Sequence, residues 1–198
     1  GEHLPERIAD MLRNTPVKAI ANGEPTYENG VEAGRAAGWW QGHEAWSNFL
    51  AGGTMGVVYG AGSLWQWRLH RGEPGHAEYF LARDAGWREA LEFEGATYVG
   101  LLPKILEALP TTDIQTDWEQ VISRRGLFAP GKLLIEYLSN GGEAMVLGED
   151  VPRSYRIVDP RTGEVVGTGS LGAPEERQGI EDRLVLTGDG PRVVIFYE

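Results

Sequence analysis

The sequence predicts a mixed protein, α/β over residues 1–130 and all-β over residues 131–198. Three observations carry that expectation. Helical and strand-like stretches alternate up to residue 109, the pattern of parallel α/β units. The two strand-like runs, 17–21 and 54–59, are short, apolar and non-alternating, as expected of strands buried on both faces of a parallel sheet. After Gly131 six short strand-like runs follow, separated by clusters of turn residues, the pattern of a small antiparallel β-sandwich.

Residues 5–14 predict the first helix. Pro5 suits a first turn, Ile8, Met11 and Leu12 share one face, and Asn14-Thr15-Pro16 ends it. The strand at 17–21 then runs into Asn22-Gly23-Glu24-Pro25-Thr26-Tyr27-Glu28, and Asn29-Gly30 marks a further turn. A carboxylate just past a strand end, beside Gly and Pro, is well placed to be held rigidly at the rim of a parallel sheet. Residues 31–50 predict a second helix, with Trp39, Trp46, Phe49 and Leu50 at helical spacings. Gly34, Gly38 and Gly42 recur every four residues along it. Each costs a helix about 1 kcal/mol against Ala, so the stripe implies a neighbour packed very close.

The second strand, 54–59, leads into Gly60-Ala61-Gly62 and then Trp65-Gln66-Trp67. Strand alternation in that triplet would aim Trp65 and Trp67 to one side and Gln66 to the other. Residues 68–86 read as a long polar loop. Within 87–109, Trp87, Leu91, Tyr98, Leu102, Ile105 and Leu109 line one helical face, which Gly95 and Pro103 are expected to split or kink. Residues 110–131 connect the two parts. Strands are expected at 132–138, 143–147, 154–158, 164–167, 183–187 and 192–197. Two parallel strands leave open edges and open apolar faces, so further strands are expected from another segment or a second chain. The chain opens on Gly-Glu-His and runs directly into a helix, which places the expected natural N-terminus upstream.

Composition excludes several functions. A net charge of −11 without a basic stripe argues against nucleic acid, whose binding depends on Lys and Arg at the phosphates. No apolar run approaches the length of a membrane span. The absence of cysteine rules out disulfides and thiolate metal sites. His3, His43, His70 and His76 lack zinc-site spacing. Residues 167–172 spell G-x-G-x-x-G, but no helix follows to complete a phosphate cradle. The seven Trp and seven Tyr suit a large core or a surface for flat, amphipathic ligands such as sugars.

The motif order resembles one family. Asn22-Gly23-Glu24-Pro25-Thr26-Tyr27-Glu28, Arg35 in an Ala/Trp-rich helix, Gly56 with Tyr59-Gly60, and Leu64-Trp65-Gln66-Trp67 resemble the last two β/α units of the apiosidase-like glycoside hydrolases, once labelled DUF4038. Trp87-Arg88-Glu89-Ala90-Leu91 followed by Gly95 resembles that family's last barrel helix region. Tyr137-Leu138-Ser139-Asn140-Gly141-Gly142 and Asp159-Pro160-Arg161-Thr162-Gly163 are similar to its C-terminal β-sandwich, which carries a collagen-binding label. The resemblance covers nearly the whole chain. It implies the last two β/α units of a (β/α)8 TIM barrel followed by that sandwich, in a retaining glycosidase whose nucleophile stands at the end of strand seven. That position is Glu24. The family's acid/base carboxylate comes from an earlier strand that has no counterpart here, so this chain is expected to supply only the nucleophile half of the site.

A retaining glycosidase needs two carboxyl groups about 5–5.5 Å apart across the scissile bond. Glu28 follows Glu24 in the same loop and would lie on the same side of the sugar, so it suits binding or orienting a hydroxyl. Tyr27, Tyr59, Trp65 and Trp67 stand at or beyond strand ends, where indoles stack on sugar C–H faces and phenols hydrogen-bond carboxylates. With Gln66 they complete the candidate substrate contacts, against the alternative of plain core packing. Trp39, Trp40 and Trp46 read as core. No metal or organic cofactor is implied, since carboxylates and water suffice. The expected partners are a carbohydrate substrate and an N-terminal barrel segment or second chain. The rival reading is a non-catalytic carbohydrate-binding or interaction module. Collagen binding rests on the label alone.

Overall fold

The computed structural model describes residues 5–30, 38–65, 67–74, 85–116, 126–177, 179 and 183–198. Helix α1 (Pro5–Leu12) turns Ile8 and Leu12 toward Ile20 and Ala51. Strands β1 (Ala21–Asn22) and β2 (Gly56–Val57) pair in parallel, Ala21 opposite Gly56 and Asn22 opposite Val57. The ladder extends through Met55 N–H to the Ile20 carbonyl and Val58 N–H to the Asn22 carbonyl, each 3.0 Å, and ends in a parallel bridge between Glu28 and Ala61.

Both strands are shorter than predicted, and neither is buried on both faces. Val17 is 71% exposed, Met55 70% and Val58 53%. The apolar character read from the sequence is real. Among the described residues, however, the two strands have only each other as ladder partners, so their outer faces and edges remain open.

Helix α2 (Trp39–Leu50) is buried on most of its circumference. The predicted start at residue 31, with Gly34 and Arg35, lies outside the described residues. Gly38 caps α2 at φ 62°, a conformation that favours glycine. Of the predicted stripe, Gly34 lies outside the described residues and Gly38 has open space where a Cβ would stand, so the close approach is shown at Gly42 alone. A Cβ there would come within 2.5 Å of the Trp39 ring and 2.8 Å of Tyr98 Cβ. Beyond β2 come two single-turn helices, α3 (Gly62–Trp65) and α4 (Trp87–Ala90), and then the long α5 (Gly95–Leu106). The predicted helical region therefore breaks just before Gly95. Pro103 does not break it, because α5 continues past it to Leu106. The strand-like alternation of Trp65-Gln66-Trp67 is also overturned. Trp65 closes a helical turn, and Trp67 lies at φ 56°.

The C-terminal part is antiparallel. Strands β3 (Gly126–Ala129), β4 (Leu133–Leu138), β9 (Arg192–Tyr197), β6 (Ser154–Val158) and β7 (Val165–Ser170) form one sheet in that order, and β5 (Gly141–Met145) pairs with β8 (Leu184–Asp189). All six predicted strands are present, and the G-x-G-x-x-G stretch lies on β7 and just beyond it. Strand β3 falls in the predicted connection. Its central pairs are Phe128 with Leu134 and Leu127 with Ile135, and Gln115 bridges its other side. The sheet thus begins at Gly126, and the expected boundary at 130/131 falls inside the β3–β4 hairpin.

The side-chain period of two sorts β4 and β9 between two cores. Leu133, Ile135, Tyr137 and Ile195 face α2 and α5, where they meet Trp46 and Leu102. Leu134, Val194 and Phe196 face the β5–β8 pair and meet Ala144 and Val185. The first core is common to the α/β and β parts. At its centre Trp46 stacks on Tyr137 at 6.3 Å, and the Tyr137 hydroxyl meets His43 Nδ1 at 2.9 Å. The β6–β7 turn also reaches α5, with Gly163 lying against Leu101. Asp159 closes that turn, accepting from the Arg161 amide at 2.9 Å, from Arg161 Nη2 at 2.6 Å and from Arg192 at 3.3 Å. The Arg161 hydrogen bonds hold the Asp159 carboxyl below the usual carboxylate range against the opposing effect of burial.

Trp46→Ala removes a central side chain of the core shared by the two parts and should cost about 3–5 kcal/mol in denaturant unfolding, with both parts lost in one transition. A depressed folded-state value means that Asp159 stabilises the protein above its unfolded value, about 3.9, and loses this as pH falls through the lower folded value. Denaturation midpoints at pH 6 and pH 3 should therefore differ less in Asp159→Asn than in wild type.

Candidate active site

The loop after β1 begins with an Asx-type contact, the Glu24 amide donating to Asn22 Oδ1 at 3.2 Å. Pro25 fixes its own φ. The Thr26 amide then donates to Glu44 Oε2 on α2 at 2.9 Å. At Glu28 the backbone is pinned on both sides, its amide donating to the Gly60 carbonyl and its carbonyl accepting from the Gly62 amide, each 2.9 Å. The loop is therefore held at its start, middle and end, and the side chain of Glu24 between those points is exposed.

Glu28 differs sharply from Glu24. It is 4% exposed, and donors from its own chain surround its carboxylate. The Gly38 amide at the start of α2 donates to Oε1 at 3.1 Å. The Gly95 amide at the start of α5 reaches both oxygens, at 3.2 and 2.9 Å. The Tyr59 hydroxyl donates to Oε2 at 2.7 Å. Burial, then the hydrogen bond and negative charge of Glu28, push the Tyr59 phenol far above its ordinary range, so it remains a donor. A Cβ on Gly95 would collide with Glu28 Oε2, which accounts for glycine there.

Tyr27 lies on the Glu24 side. Burial and then the Glu24 charge raise its phenol above the usual value. Its ring lies over Gly60, where a Cβ would come within 2.5 Å, and meets the Trp65 ring at 5.8 Å and 39°. Trp65 is exposed beside it. Trp67 is 83% exposed in the left-handed backbone region. Gln66 lies outside the described residues, as does Arg35.

The structure thus sets Tyr27 against Trp65 and within reach of the Glu24 charge. It bonds the buried Glu28 to Tyr59. The sequence reading, which put Glu28 and Tyr59 among sugar contacts, did not anticipate that bond. It also missed the loop's supports, Glu44, Gly38 and Gly95. These stand 10 to 67 residues from their partners. The sequence signals near them were the glycine stripe on α2 and Gly95, read as a break in the last helical region. Among the described residues no group of acidic or histidine side chains could hold a metal ion, and no helix is long and apolar enough to cross a membrane.

The fold, a parallel pair flanked by helices and followed by antiparallel strands, is one seen in glycoside hydrolases. The chain is similar to a solved structure titled "Glycoside hydrolase", with TM-score 0.71 and 16% identity over 98% of this chain and 46% of the other. It is also similar to a crystal structure of a glycoside hydrolase family 5 from Bacteroides vulgatus ATCC 8482, with TM-score 0.73 and 18% identity over 98% of this chain and 44% of that one. The chain spans less than half the length of these structures. No curated protein matches it. Residues 1–113 match the family described as "Apiosidase-like, catalytic domain", and the chain belongs to that family.

The Tyr59–Glu28 bond can be tested apart from activity. Tyr59→Phe leaves the ring in place but deprives a buried carboxylate of one donor. It should lower unfolding stability by about 1.5–3 kcal/mol, measured in urea.

Proposed function

We propose that this chain forms the last two β/α units of a (β/α)8 barrel and its C-terminal β-sandwich, and that it supplies the nucleophile of a retaining glycoside hydrolase. The observation that carries this reading is the contrast between two carboxylates of one loop. Glu28 is fully engaged by its own chain, while Glu24 is exposed just beyond the C-terminal end of β1, on a backbone held on both sides. Membership of the apiosidase-like family and the fold likeness support it.

In this mechanism Glu24 attacks the anomeric carbon and displaces the leaving oxygen. A second carboxylic acid, from a segment outside this chain, gives that oxygen its proton. The same group then takes a proton from water, which cleaves the glycosyl ester and releases Glu24. Tyr27 and Trp65 offer an aromatic wall beside the reacting ring. Trp67 supports a further platform. Its indole is exposed on a backbone in the left-handed region, a conformation that costs a bulky residue about 1–3 kcal/mol. The substrate is a carbohydrate, in keeping with plant-type or other complex polysaccharide side chains.

The remaining barrel strands would cover the exposed Val17, Met55 and Val58. An open groove of about 510 Å³ between α2, β2 and α5, lined by Phe49, Val57, Leu102 and Leu106, gives them further apolar surface to pack on.

Glu24→Gln in the intact enzyme should lower kcat by roughly 10³-fold or more while leaving thermal unfolding unchanged. Near-normal turnover would overturn the assignment. Native mass spectrometry tests the second half of the proposal. This chain should be found joined to, or travelling with, a polypeptide large enough for the missing β/α units, and a lone folded 21.7 kDa species would refute that.

A further inference from the structure

We infer that Glu28 is a positioning residue, whose carboxylate ties the nucleophile loop to the N-termini of α2 and α5 and thereby sets where Glu24 and Tyr27 stand. The inference rests on Glu24 being the nucleophile.

Both helices begin with backbone N–H groups that no helical carbonyl can satisfy. A single carboxylate serves both starts, accepting from Gly38 on one and from Gly95 on the other. The positive ends of the two helix dipoles favour a negative group there. Tyr59 adds a third donor from the segment after β2. Three parts of the chain therefore converge on this side chain of the β1 loop: the start of α2, the segment after β2 and the start of α5. Glu28 is also the residue at which the loop rejoins the β2 side through its own backbone, to Gly60 and Gly62. It lies four positions beyond Glu24, with three residues between them. Among the described residues the loop between them is also anchored at Thr26, whose amide donates to Glu44 and whose carbonyl accepts from Gln41 Nε2 at 3.5 Å.

The consequence is kinetic. A misplacement of about 1 Å at a reacting group can cost about 10²-fold in rate without loss of binding. Glu28→Gln preserves the shape but turns an NH2 group either toward the Gly38 and Gly95 amides or toward the Gly95 amide and the Tyr59 hydroxyl, so that in both orientations it faces the Gly95 N–H. One donor then faces another, and the loop must shift to relieve it. Such a shift reaches Glu24 more than the Trp65–Trp67 platform, which sits on the following segment.

The test compares three variants of the intact enzyme with wild type. Hydrolysis is followed on a 2,4-dinitrophenyl glycoside that wild type accepts, well below the unfolding temperature. Glu28→Gln should lower kcat about 10–100-fold with KM changed less than about 3-fold. Leu133→Ala, in the core far from this loop, should lower the unfolding temperature and leave kcat within about 2-fold. Glu24→Ala should be inactive and regain turnover with added azide as an external nucleophile. If Glu28→Gln keeps wild-type kcat while Glu24→Ala is dead, the positioning role is overturned alone. If Leu133→Ala loses kcat as severely as Glu28→Gln, the effect is general destabilisation and the positioning role is again overturned. A fully active Glu24→Ala would overturn the nucleophile reading and this inference with it.

Discussion

A carboxylate shut away from water loses its hydration, and the loss is tolerable only where protein donors replace it. Glu28 meets that condition with two backbone amides and a phenol drawn from three distant parts of the chain. Because both amides stand at helix starts, the same contacts that satisfy the carboxylate also satisfy the helices. The arrangement of the α/β part depends on this point. It fixes α2 against α5 at their N-terminal ends, brings the segment after β2 beneath the β1 loop, and leaves no room for a side chain at residue 95. The exposed Glu24 and the Tyr27–Trp65 pair are the outer surface of that construction.

The opposite ends of α2 and α5 are held differently, by apolar packing. Trp46 and Leu102 meet one face of the five-stranded sheet, and Tyr137 lies between the two parts with its ring on Trp46 and its hydroxyl on His43. Sharing one core removes the independence that two separately folded units would have. The antiparallel part therefore acts as the outer support of the helices whose other ends hold the loop, and the turn that Asp159 and Arg161 close lays Gly163 against Leu101 of α5.

Much of the fold was legible because the relevant signals are local. Turn residues with defined backbone preferences bracketed six strands, and all six are present. The failures have equally local causes. Gly126 to Ala129 carries no alternation and lies beside a Pro-Gly turn, so its strand character comes from pairing with β4 and Gln115. Trp65-Gln66-Trp67 has strand-like residues, but Gly62 and Ser63 allow a helical turn that hydrogen bonds to Ala61 complete. Pro103 lies in the third turn of α5, and packing of its neighbours Leu102 and Leu106 carries the helix past it.

By itself the sequence determined the order of elements, the α/β-then-β division, the place of Glu24 at a strand end, and the family, because each is written in contiguous residues or in motif order. Only the tertiary structure decided which carboxylate of the loop is available. Glu24 and Glu28 are four residues apart and chemically alike; the sequence singles out Glu24 by its place beside Gly23 and Pro25 and by the family resemblance, but not the closure of Glu28. What separates them is burial and donor geometry, supplied by Gly38, Tyr59 and Gly95 from as far as 67 residues away. The same holds for the shared core. Alternation in β4 shows that the strand has two apolar faces, but only packing determines that one of them belongs to α2 and α5.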